Sequence, residues 1–301
     1  MNLLEAKKLQ KKYGEQNVIQ GIDLQINEGE CTALLGPNGA GKTTIIKMLI
    51  GIVQPTSGEI LLQGKSNQEM KHIVGYLPQH PTFYSWMTGK ELLAFMGGLS
   101  EIPKPTLAKR IPELLELVGL SKDGHKPIGT YSGGMKQRLG IAQAIIHEPK
   151  FLIMDEPVSA LDPQGRRDML ELLKVIKEKT TILFSTHILY DAEELCNKIC
   201  ILHQGKLLVS DSMDQLMIKH QQPVFIIKAP QNKEWLNIVS SGELVQEIEQ
   251  AGNMTKVHVK DIDRGREWLL ETIRQTNLPV QKFELVQENL EDIFLRMVKQ
   301  A

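Results

Sequence analysis

The stretch "CTALLGPNGAGKTT", residues 31–44, decides the fold of the first part of this chain. An apolar run typical of a buried strand leads into the pattern G-x-x-x-x-G-K-[ST]. The spacing of apolar residues in the following "KTTIIKMLIGI" predicts an amphipathic helix. A glycine-rich loop between a strand and a helix presents backbone N–H groups and a helix N-terminus to phosphate oxygens. The stretch therefore predicts a phosphate-binding loop.

The side chains of this loop have separate expected tasks. Lys42 should reach the β- and γ-phosphates of a nucleotide, and the hydroxyl of Thr43 should bind Mg²⁺. A glycine turn that merely precedes a helix would explain neither side chain. We expect the nucleotide to contact the loop and the first turn of its helix, which consist of Gly36, Pro37, Asn38, Gly39, Ala40, Gly41, Lys42, Thr43 and Thr44.

The composition of the 301-residue chain is that of an ordinary globular protein, with 42% hydrophobic and 24% charged residues. The net charge of −1 gives no sign of a nucleic-acid partner. No uninterrupted apolar run approaches the ~20 residues of a membrane helix, and the N-terminus lacks the apolar core of a signal peptide. We therefore expect a soluble protein, which would work at a membrane only through another chain.

The cysteines Cys31, Cys196 and Cys200 are too few for a disulfide framework. Cys196 and Cys200 are four residues apart and could share a helix face, but no companion Cys or His pair completes a zinc site. Reduced, buried thiols are the expectation.

Alternating strand and helix patterns predict an α/β core. Short apolar runs broken by Gly and Asn fill the first 63 residues, and "FLIMD" and "TILFS" predict later strands. Residues 88–120 have helical apolar spacing, and further helices should open at Ser132 and at about Pro163. This alternation implies a parallel sheet, with residues 84–150 as a helical insertion.

The composition changes around "KHQQP", residues 219–223. Beyond it, strand-like and helix-like segments predict a second, smaller α+β domain. We therefore divide the chain into a main domain over residues 1–220 and a small domain over residues 221–301. Asn289 is the expected N-cap of the last helix, with Asp292 at the third position.

A pair of acidic residues follows the apolar strand of "FLIMDEP". Ligand sites in open α/β sheets lie at the carboxyl ends of the strands. Asp155 suits a direct or indirect Mg²⁺ ligand, and Glu156 suits the base that orients and deprotonates an attacking water. An acidic pair that only caps the next helix is the alternative, which the phosphate loop makes less favourable.

The phosphate loop and the acidic pair, taken together with four further motifs, make residues 1 to about 215 resemble the ATP-binding subunit of ABC transporters. "YLPQH" matches the family's Q-loop, "VSALDP" (residues 158–163) its D-loop, and "STH" ends in the switch histidine, His187. "YSGGM", residues 131–135, is similar to the signature motif, usually written LSGGQ. The resemblance implies a P-loop NTPase fold: a RecA-like parallel sheet, an N-terminal antiparallel β subdomain and a helical insertion, with the small α+β domain following.

The resemblance also implies roles for residues outside the phosphate loop. Gln79 would contact the metal or the attacking water, His187 the γ-phosphate, and Tyr13 the adenine ring. Taken alone, Gln79 would be a surface polar residue, His187 a structural one, and Tyr13 a ring packed on the sheet. In the family two ATPase units associate head to tail, with each ATP between one unit's P-loop and the other's signature. Residues of the signature and D-loop would therefore bind the neighbour's nucleotide, namely Ser132, Gly133, Gly134 and Asp162.

The chain departs from the family pattern at three positions. Tyr131 and Met135 replace the usual Leu and Gln of the signature, and Ala160 replaces a common Gly of the D-loop. "YSGGMKQR" and the C-terminal "ENLEDIFLRMV" are similar to the branch that serves exporters of drugs, peptide antibiotics and other hydrophobic molecules.

We expect an ATP-hydrolysing subunit of such an exporter, which binds ATP and Mg²⁺ and works as a homo- or heterodimer. Its permease partners would be separate transmembrane chains, so that it lies at the cytoplasmic face of the membrane. The aromatic loop "HPTFYSWMT" near Gln79 would contact them. The alternative is that these rings pack locally within this chain's own core. The alternatives are a soluble ABC ATPase that acts on ribosomes, DNA or iron–sulfur assembly, and a non-catalytic cassette, against which Glu156 argues.

Overall fold

The computed structural model describes residues 1–66, 71–159, 161–286 and 289–300. Its contacts divide the chain into two compact units. The first comprises Met1–Asp214 together with the chain end from Arg296, and the second comprises Gln215–Leu295. The boundary proposed from the sequence, residue 220, lies a few residues beyond this division.

The first unit combines two sheets with helices. In chain order its elements are β1 (Asn2–Tyr13), β2 (Gln16–Asn27), β3 (Cys31–Leu35), α1 (Lys42–Leu49), β4 (Ser57–Leu62), β5 (Lys65–Ser66), β6 (Val74–Leu77), α2 (Gly89–Leu99), α3 (Lys104–Leu117), α4 (Gly133–Ile145), β7 (Phe151–Asp155), α5 (Pro163–Lys177), β8 (Thr181–Thr186), α6 (Leu189–Leu195), β9 (Lys198–His203) and β10 (Lys206–Ser212). One sheet is antiparallel with the order β2-β1-β4-β5, and the other has the order β10-β9-β3-β8-β7-β6.

The larger sheet is parallel except for β10, which pairs antiparallel with β9. Every residue of β3, β7 and β8 is buried, as expected of central strands in a parallel sheet covered on both faces. The register pairs Leu35 with Thr186 and Asp155 with Ser185, so that these three strands end side by side. The phosphate loop, the acidic pair and the switch histidine therefore leave the sheet at neighbouring positions.

The helical insertion contains α2, α3 and α4. Helix α2 begins with a capping box between Thr88 and Glu91, and α4 begins where the Ser132 hydroxyl accepts a hydrogen bond from the N–H of Met135 at 3.2 Å. The helical segment expected over residues 88–120 is two helices. They are separated near Glu101, which has a left-handed φ of 58°.

Cys196 and Cys200, whose spacing would allow them to share a helix face, do not lie on one helix. Helix α6 ends at Leu195, Cys196 already has the extended conformation, and Cys200 lies within β9. The expectation of buried, unbridged thiols is confirmed for Cys31, Cys196 and Cys200. The sulfur atoms of Cys31 and Cys196 lie 3.5 Å apart.

The elements from residue 213 onward are α7 (Met213–Lys219), β11 (Val224–Lys228), α8 (Lys233–Ser240), β12 (Val245–Ala251), β13 (Met254–Val259), α9 (Ile262–Gln275), β14 (Lys282–Leu285) and α10 (Leu290–Gln300). The strands form an antiparallel sheet with the order β12-β13-β11-β14. The succession β-α-β-β-α-β with this order is the ferredoxin-like arrangement. Its core contains Phe225, Trp235, Val257 and Leu269.

The expected start of the last helix is confirmed, because the side chain of Asn289 accepts a hydrogen bond from the N–H of Asp292 at 2.8 Å. Across the described ranges, none of the helices combines the length and apolar character that crossing a bilayer requires.

Candidate active site

The shape of the phosphate loop depends on glycine at both of its ends. A Cβ on Gly36 would lie 2.4 Å from the carbonyl oxygen of Leu202, so no larger residue fits there. Gly41 has a φ of 110°, which favours glycine, and a Cβ there would lie 2.6 Å from Ile19. The loop therefore packs closely against Leu202 near the end of β9 and against Ile19 of β2 in the other sheet. Helix α1 then begins at Lys42.

Lys42 is buried and its ammonium group turns back onto its own loop. Its Nζ donates to the carbonyl oxygen of Gly36 at 2.8 Å and to that of Pro37 at 3.3 Å. Oε1 of Glu156 lies 3.4 Å from the same nitrogen. The N–H of Ala40 bonds the carbonyl of Pro37, which closes the loop behind the lysine.

The carboxylate of Glu156 joins side chains from separate motifs. Its Oε2 lies 3.4 Å from Nε2 of Gln79 and 3.2 Å from Nδ1 of His187, while its Oε1 faces Lys42. Gln79 follows β6, Glu156 follows β7 and His187 follows β8. The structure thus brings together the four residues that the sequence assigned to catalysis.

These side chains line a cleft of about 720 Å³. The residues assigned from the sequence that line it are Asn38, Gly39, Gly41, Lys42, Thr43, Thr44, Gln79, Glu156 and His187. Val18, His80 and Ser159 also line it and were not predicted. His80 and Ser159 belong to quoted motifs and could have been found from them, whereas nothing in the local sequence distinguishes Val18 on β2.

Asp155 is buried at the end of β7 and is held by one strong contact. Its Oδ1 accepts a hydrogen bond from the hydroxyl of Ser185 at 2.5 Å. Burial, reinforced by the nearby charge of Asp155, raises the pKa of Tyr76 to about 12. The aspartate is therefore a fixed group beneath the cleft rather than a solvated surface acid.

The residues of the signature and D-loop line a second cleft of about 490 Å³, which contains Ser132, Gly133, Gly134 and Asp162. Asp162 caps α5, accepting a hydrogen bond from the N–H of Gly165 at 2.8 Å. Ser132 caps α4 in the same way. Two helix N-termini therefore border this cleft. That of α5 is already capped by the Asp162 carboxylate, whereas that of α4 is capped by a neutral hydroxyl and attracts negative charge.

The two signature glycines are not required by the packing of this chain. A Cβ on Gly133 would have no neighbour within 4 Å, and one on Gly134 would meet Leu161 at an ordinary 3.4 Å. Neither glycine has a positive φ. Their small size therefore leaves room for something that approaches from outside the chain.

The structure accounts for one departure from the family signature. Tyr131 is buried, and its hydroxyl donates to the carbonyl oxygen of Asp123 at 2.7 Å. Burial raises the pKa of this tyrosine, so the hydroxyl stays neutral and able to donate. Met135 contributes its backbone N–H to the Ser132 cap, which needs no particular side chain. Ala160 lies outside the described residues.

Tyr13 is separate from the described residues that line the first cleft. It ends β1, is half exposed, and has the ammonium of Lys11 5.0 Å from the centre of its ring. One face of the ring is thus engaged by a cation.

The fold and the first cleft define a P-loop nucleotide-binding protein. The sequence family described as "ABC transporter" matches residues 19–159, and the family "ATP-binding protein DrrA1-3-like, C-terminal domain" matches residues 212–298. With the full-length similarity given below, these matches show that the chain belongs to the ABC transporter family. It is an ATP-binding subunit and an ABC transporter ATPase.

Similar proteins cover nearly the whole chain. It is 43% identical to the uncharacterized ABC transporter ATP-binding protein YxlF of Bacillus subtilis (strain 168), over 98% of this chain and 99% of that protein. It is 34% identical to the bacitracin transport ATP-binding protein BcrA of Bacillus licheniformis (98% and 97% covered). It is 33% identical to the Nod factor export ATP-binding protein I of Ralstonia nicotianae (98% and 93% covered).

The fold is also similar to a solved structure. The ATP-binding subunit of an ABC transporter superposes with a TM-score of 0.66 and 34% sequence identity, over 72% of this chain and 92% of that one. The expected P-loop ATPase fold is therefore confirmed.

Proposed function

We propose that this protein is the ATP-hydrolysing subunit of an exporter, which works as a dimer on separately encoded membrane chains. The main support for the ATPase mechanism is that the side chains of Lys42, Gln79 and His187 all contact the carboxylate of Glu156. A buried carboxylate beside a phosphate loop can accept a proton from a water that attacks the γ-phosphate. We assign Glu156 as that base.

The other residues of the cleft position the nucleotide. Lys42 neutralises phosphate charge, the backbone of the loop from Gly36 to Gly41 binds phosphate oxygens, and Thr44 extends this contact into the first helical turn. Gln79 orients the attacking water, and His187 contacts the γ-phosphate. The Tyr13 ring is half exposed, which leaves part of it available for the proposed stacking on adenine.

The side chains beside the loop fit Mg²⁺. The hydroxyl of Thr43, the amide oxygen of Gln79 and the carboxylate of Asp155 are oxygen donors, the kind that this ion prefers. One oxygen of Asp155 is held by Ser185, which leaves the other for the metal or its water. Bound there, the ion would neutralise charge on the β- and γ-phosphate oxygens.

The second cleft supports a shared site. Gly133 and Gly134 leave open space that their own chain does not use, beside the N-termini of α4 and α5. A phosphate on a second subunit could approach this backbone closely and meet the favourable dipole of α4. We infer that Ser132, Gly133, Gly134 and Asp162 act on the nucleotide of the partner ATPase.

The transmembrane partners are inferred from family membership and from an exposed aromatic pair. Tyr84 and Trp86 are 60% and 72% exposed, and their ring centres lie 5.8 Å apart. They stand between Gln79 and the start of α2, so a partner bound there would be close to the catalytic cleft. Such a partner would hold the protein at the cytoplasmic face of the membrane, and exposed aromatic side chains suit an interface core.

Transport is supported by the names of two similar proteins, one of which describes export. The names of these relatives describe bacitracin transport and Nod factor export. The DrrA1-3-like match covers the region after the ATPase core. We propose a cargo of drug, peptide-antibiotic or other hydrophobic character.

The direct test is to purify the tagged protein from detergent-solubilised membranes of its own host and identify what accompanies it. We expect a separate chain with several membrane spans, and Mg²⁺-dependent ATP hydrolysis that Lys42→Ala abolishes. Vesicles that contain the complex should accumulate the cargo in the export direction. Recovery with ribosomes or DNA, and without a membrane chain, would refute the transport assignment.

A further inference from the structure

Ser185 contacts both acidic residues of the catalytic strand end. It lies on β8, directly opposite Asp155 in the parallel register, and is completely buried. Its hydroxyl donates to Oδ1 of Asp155 at 2.5 Å and accepts from the backbone N–H of Glu156 at 3.0 Å. The same hydroxyl thus donates a hydrogen bond to the carboxylate of Asp155 and accepts one from the backbone N–H of Glu156.

The backbone of Glu156 has a conformation that needs such support. Its φ of 48° lies in the left-handed region, which residues other than glycine adopt only at an energetic cost. The N–H of Glu156 also reaches the carbonyl oxygen of Ser185 at 3.1 Å. Residues in this region persist where surrounding contacts fix them, and they concentrate at active sites.

The consequence is a turn that places the two acids in different environments. Asp155 remains under the cleft, bound to Ser185, while the side chain of Glu156 faces Lys42 and His187. A small displacement of this backbone would move the Glu156 carboxylate away from both partners. A misplacement of about 1 Å in an active site can lower the rate by about 100-fold.

We propose that Ser185 is a positioning residue for ATP hydrolysis: its hydroxyl fixes the Asp155 carboxylate and the Glu156 backbone, and so aims the Glu156 side chain. This inference rests on the proposed role of Glu156 as the base. Ser185 is completely buried and is not among the described residues that line the catalytic cleft, so it acts through the two acids.

The test compares Ser185→Ala with a matched change on the adjacent strand. Thr32 on β3 is equally buried, and its hydroxyl has no hydrogen-bond partner among the described residues. Thr32→Val therefore removes a buried hydroxyl without breaking a hydrogen bond to any described residue. Ser185→Thr keeps the hydroxyl and serves as the rescue variant.

We expect Ser185→Ala to lower kcat by about 10–100-fold, the usual loss when a group that orients a metal ligand, here Asp155 in its proposed role, is removed. ATP affinity without Mg²⁺, measured by direct binding, should stay within about twofold, because the phosphate loop is untouched. The ATP-bound dimer should persist longer in MgATP, since the base is misplaced and the nucleotide remains. Thr32→Val should match the wild type, and Ser185→Thr should recover most of kcat.

A double variant separates positioning from simple loss of stability. If Ser185 acts through Glu156, Ser185→Ala should slow single-turnover hydrolysis little further in a Glu156→Gln background. A general defect would instead reduce both backgrounds by the same factor. Should Ser185→Ala fold poorly, Ser185→Cys replaces it, because a thiol is similar in shape but a weak donor and acceptor.

The outcomes distinguish this inference from the function on which it rests. Near-normal hydrolysis by Glu156→Gln would overturn the assignment of the base. An inactive Glu156→Gln together with a Ser185→Ala variant as active as Thr32→Val would overturn only the role of Ser185. Equal losses in both backgrounds, or a matching loss of ATP affinity, would do the same.

Discussion

Nζ of Lys42 lies 3.4 Å from Oε1 of Glu156, and both side chains are largely shielded from solvent. The phosphate loop and the acidic strand end are thereby joined through an ion pair. An anionic ligand bound to Lys42 would compete with this carboxylate for the ammonium group. We therefore expect the charge of Glu156 to affect nucleotide binding as well as the proposed hydrolysis.

Glu156→Gln separates these two effects. The amide cannot accept a proton from the attacking water, so turnover should fall by orders of magnitude. Removal of a negative charge beside the polyphosphate should leave ATP affinity unchanged or somewhat higher. The measurements are steady-state hydrolysis, direct ATP binding, and size-exclusion chromatography in MgATP, where the variant should elute as a trapped dimer.

Glu148→Gln is the matched control for this experiment. Glu148 also has a left-handed φ, of 53°, but its carboxylate pairs with Arg110 at 2.8 Å at an exposed position. The same chemical change there should leave hydrolysis close to wild type. Rapid hydrolysis by Glu156→Gln would contradict the assignment of the base.

Much of the catalytic cleft could be predicted from local sequence. Lys42, Gln79, Glu156 and His187 each stand in a short motif after a strand, and strand ends of a parallel sheet share one edge. Ser185 could not be found in this way, because its role depends on which strand lies beside β7. Only the register that pairs Asp155 with Ser185 reveals the contact.

The elements that the sequence did not predict carry weak patterns. Strand β12 has exposed Glu247 and Glu249, and as an edge strand it shows little apolar alternation. Helix α8 has only 8 residues, too few for a clear helical period. Strand β6 has only 4 residues, and its last two belong to the motif "YLPQH", so that the sequence indicates the motif but not the strand.

The buried thiol of Cys200 should make the protein less stable in alkali. Burial raises its pKa from 9.0 to about 11. Between these values the unfolded chain loses the proton that the folded chain keeps, so the free energy of unfolding falls as the pH rises. The slope from this group can reach about 1.4 kcal/mol per pH unit.

Cys200→Ala provides the check. The variant should be less stable at neutral pH because it leaves a small cavity, but its stability should decrease less steeply in alkali. Other titrating groups contribute to both proteins, and the difference between slopes isolates Cys200. Urea unfolding at about pH 8 and about pH 10.5 measures it, and identical slopes would contradict the prediction.

Removal of the C-terminal region should spare nucleotide binding. The described residues that line the catalytic cleft lie between Val18 and His187, within the first unit. A variant that ends near His220 should therefore bind ATP with similar affinity, while dimerisation or regulation of transport changes. Circular dichroism must show that it is folded. Loss of binding in the folded variant would show that the two-domain division is wrong.

A shared nucleotide site predicts that two inactive variants rescue each other in one dimer. Lys42→Ala removes the charge of the phosphate loop, and Ser132→Arg places a bulky cation in the signature cleft, which Ser132 lines. Each homodimer then has two damaged sites. A mixed dimer has one site with both lesions and one with an intact phosphate loop and an intact signature, and this site should restore part of the activity.

The measurement is ATP hydrolysis after co-expression of differently tagged variants and tandem purification of the mixed dimer. If the signature served the nucleotide of its own chain, every site in the mixed dimer would carry a lesion and no activity would return. Absence of rescue would also follow if both sites must fire together, so a photoreactive ATP analogue decides between these explanations. In a dimer shown to have closed, the shared site predicts label on the signature of the subunit opposite the intact phosphate loop. Label confined to the chain that supplies that loop would refute it.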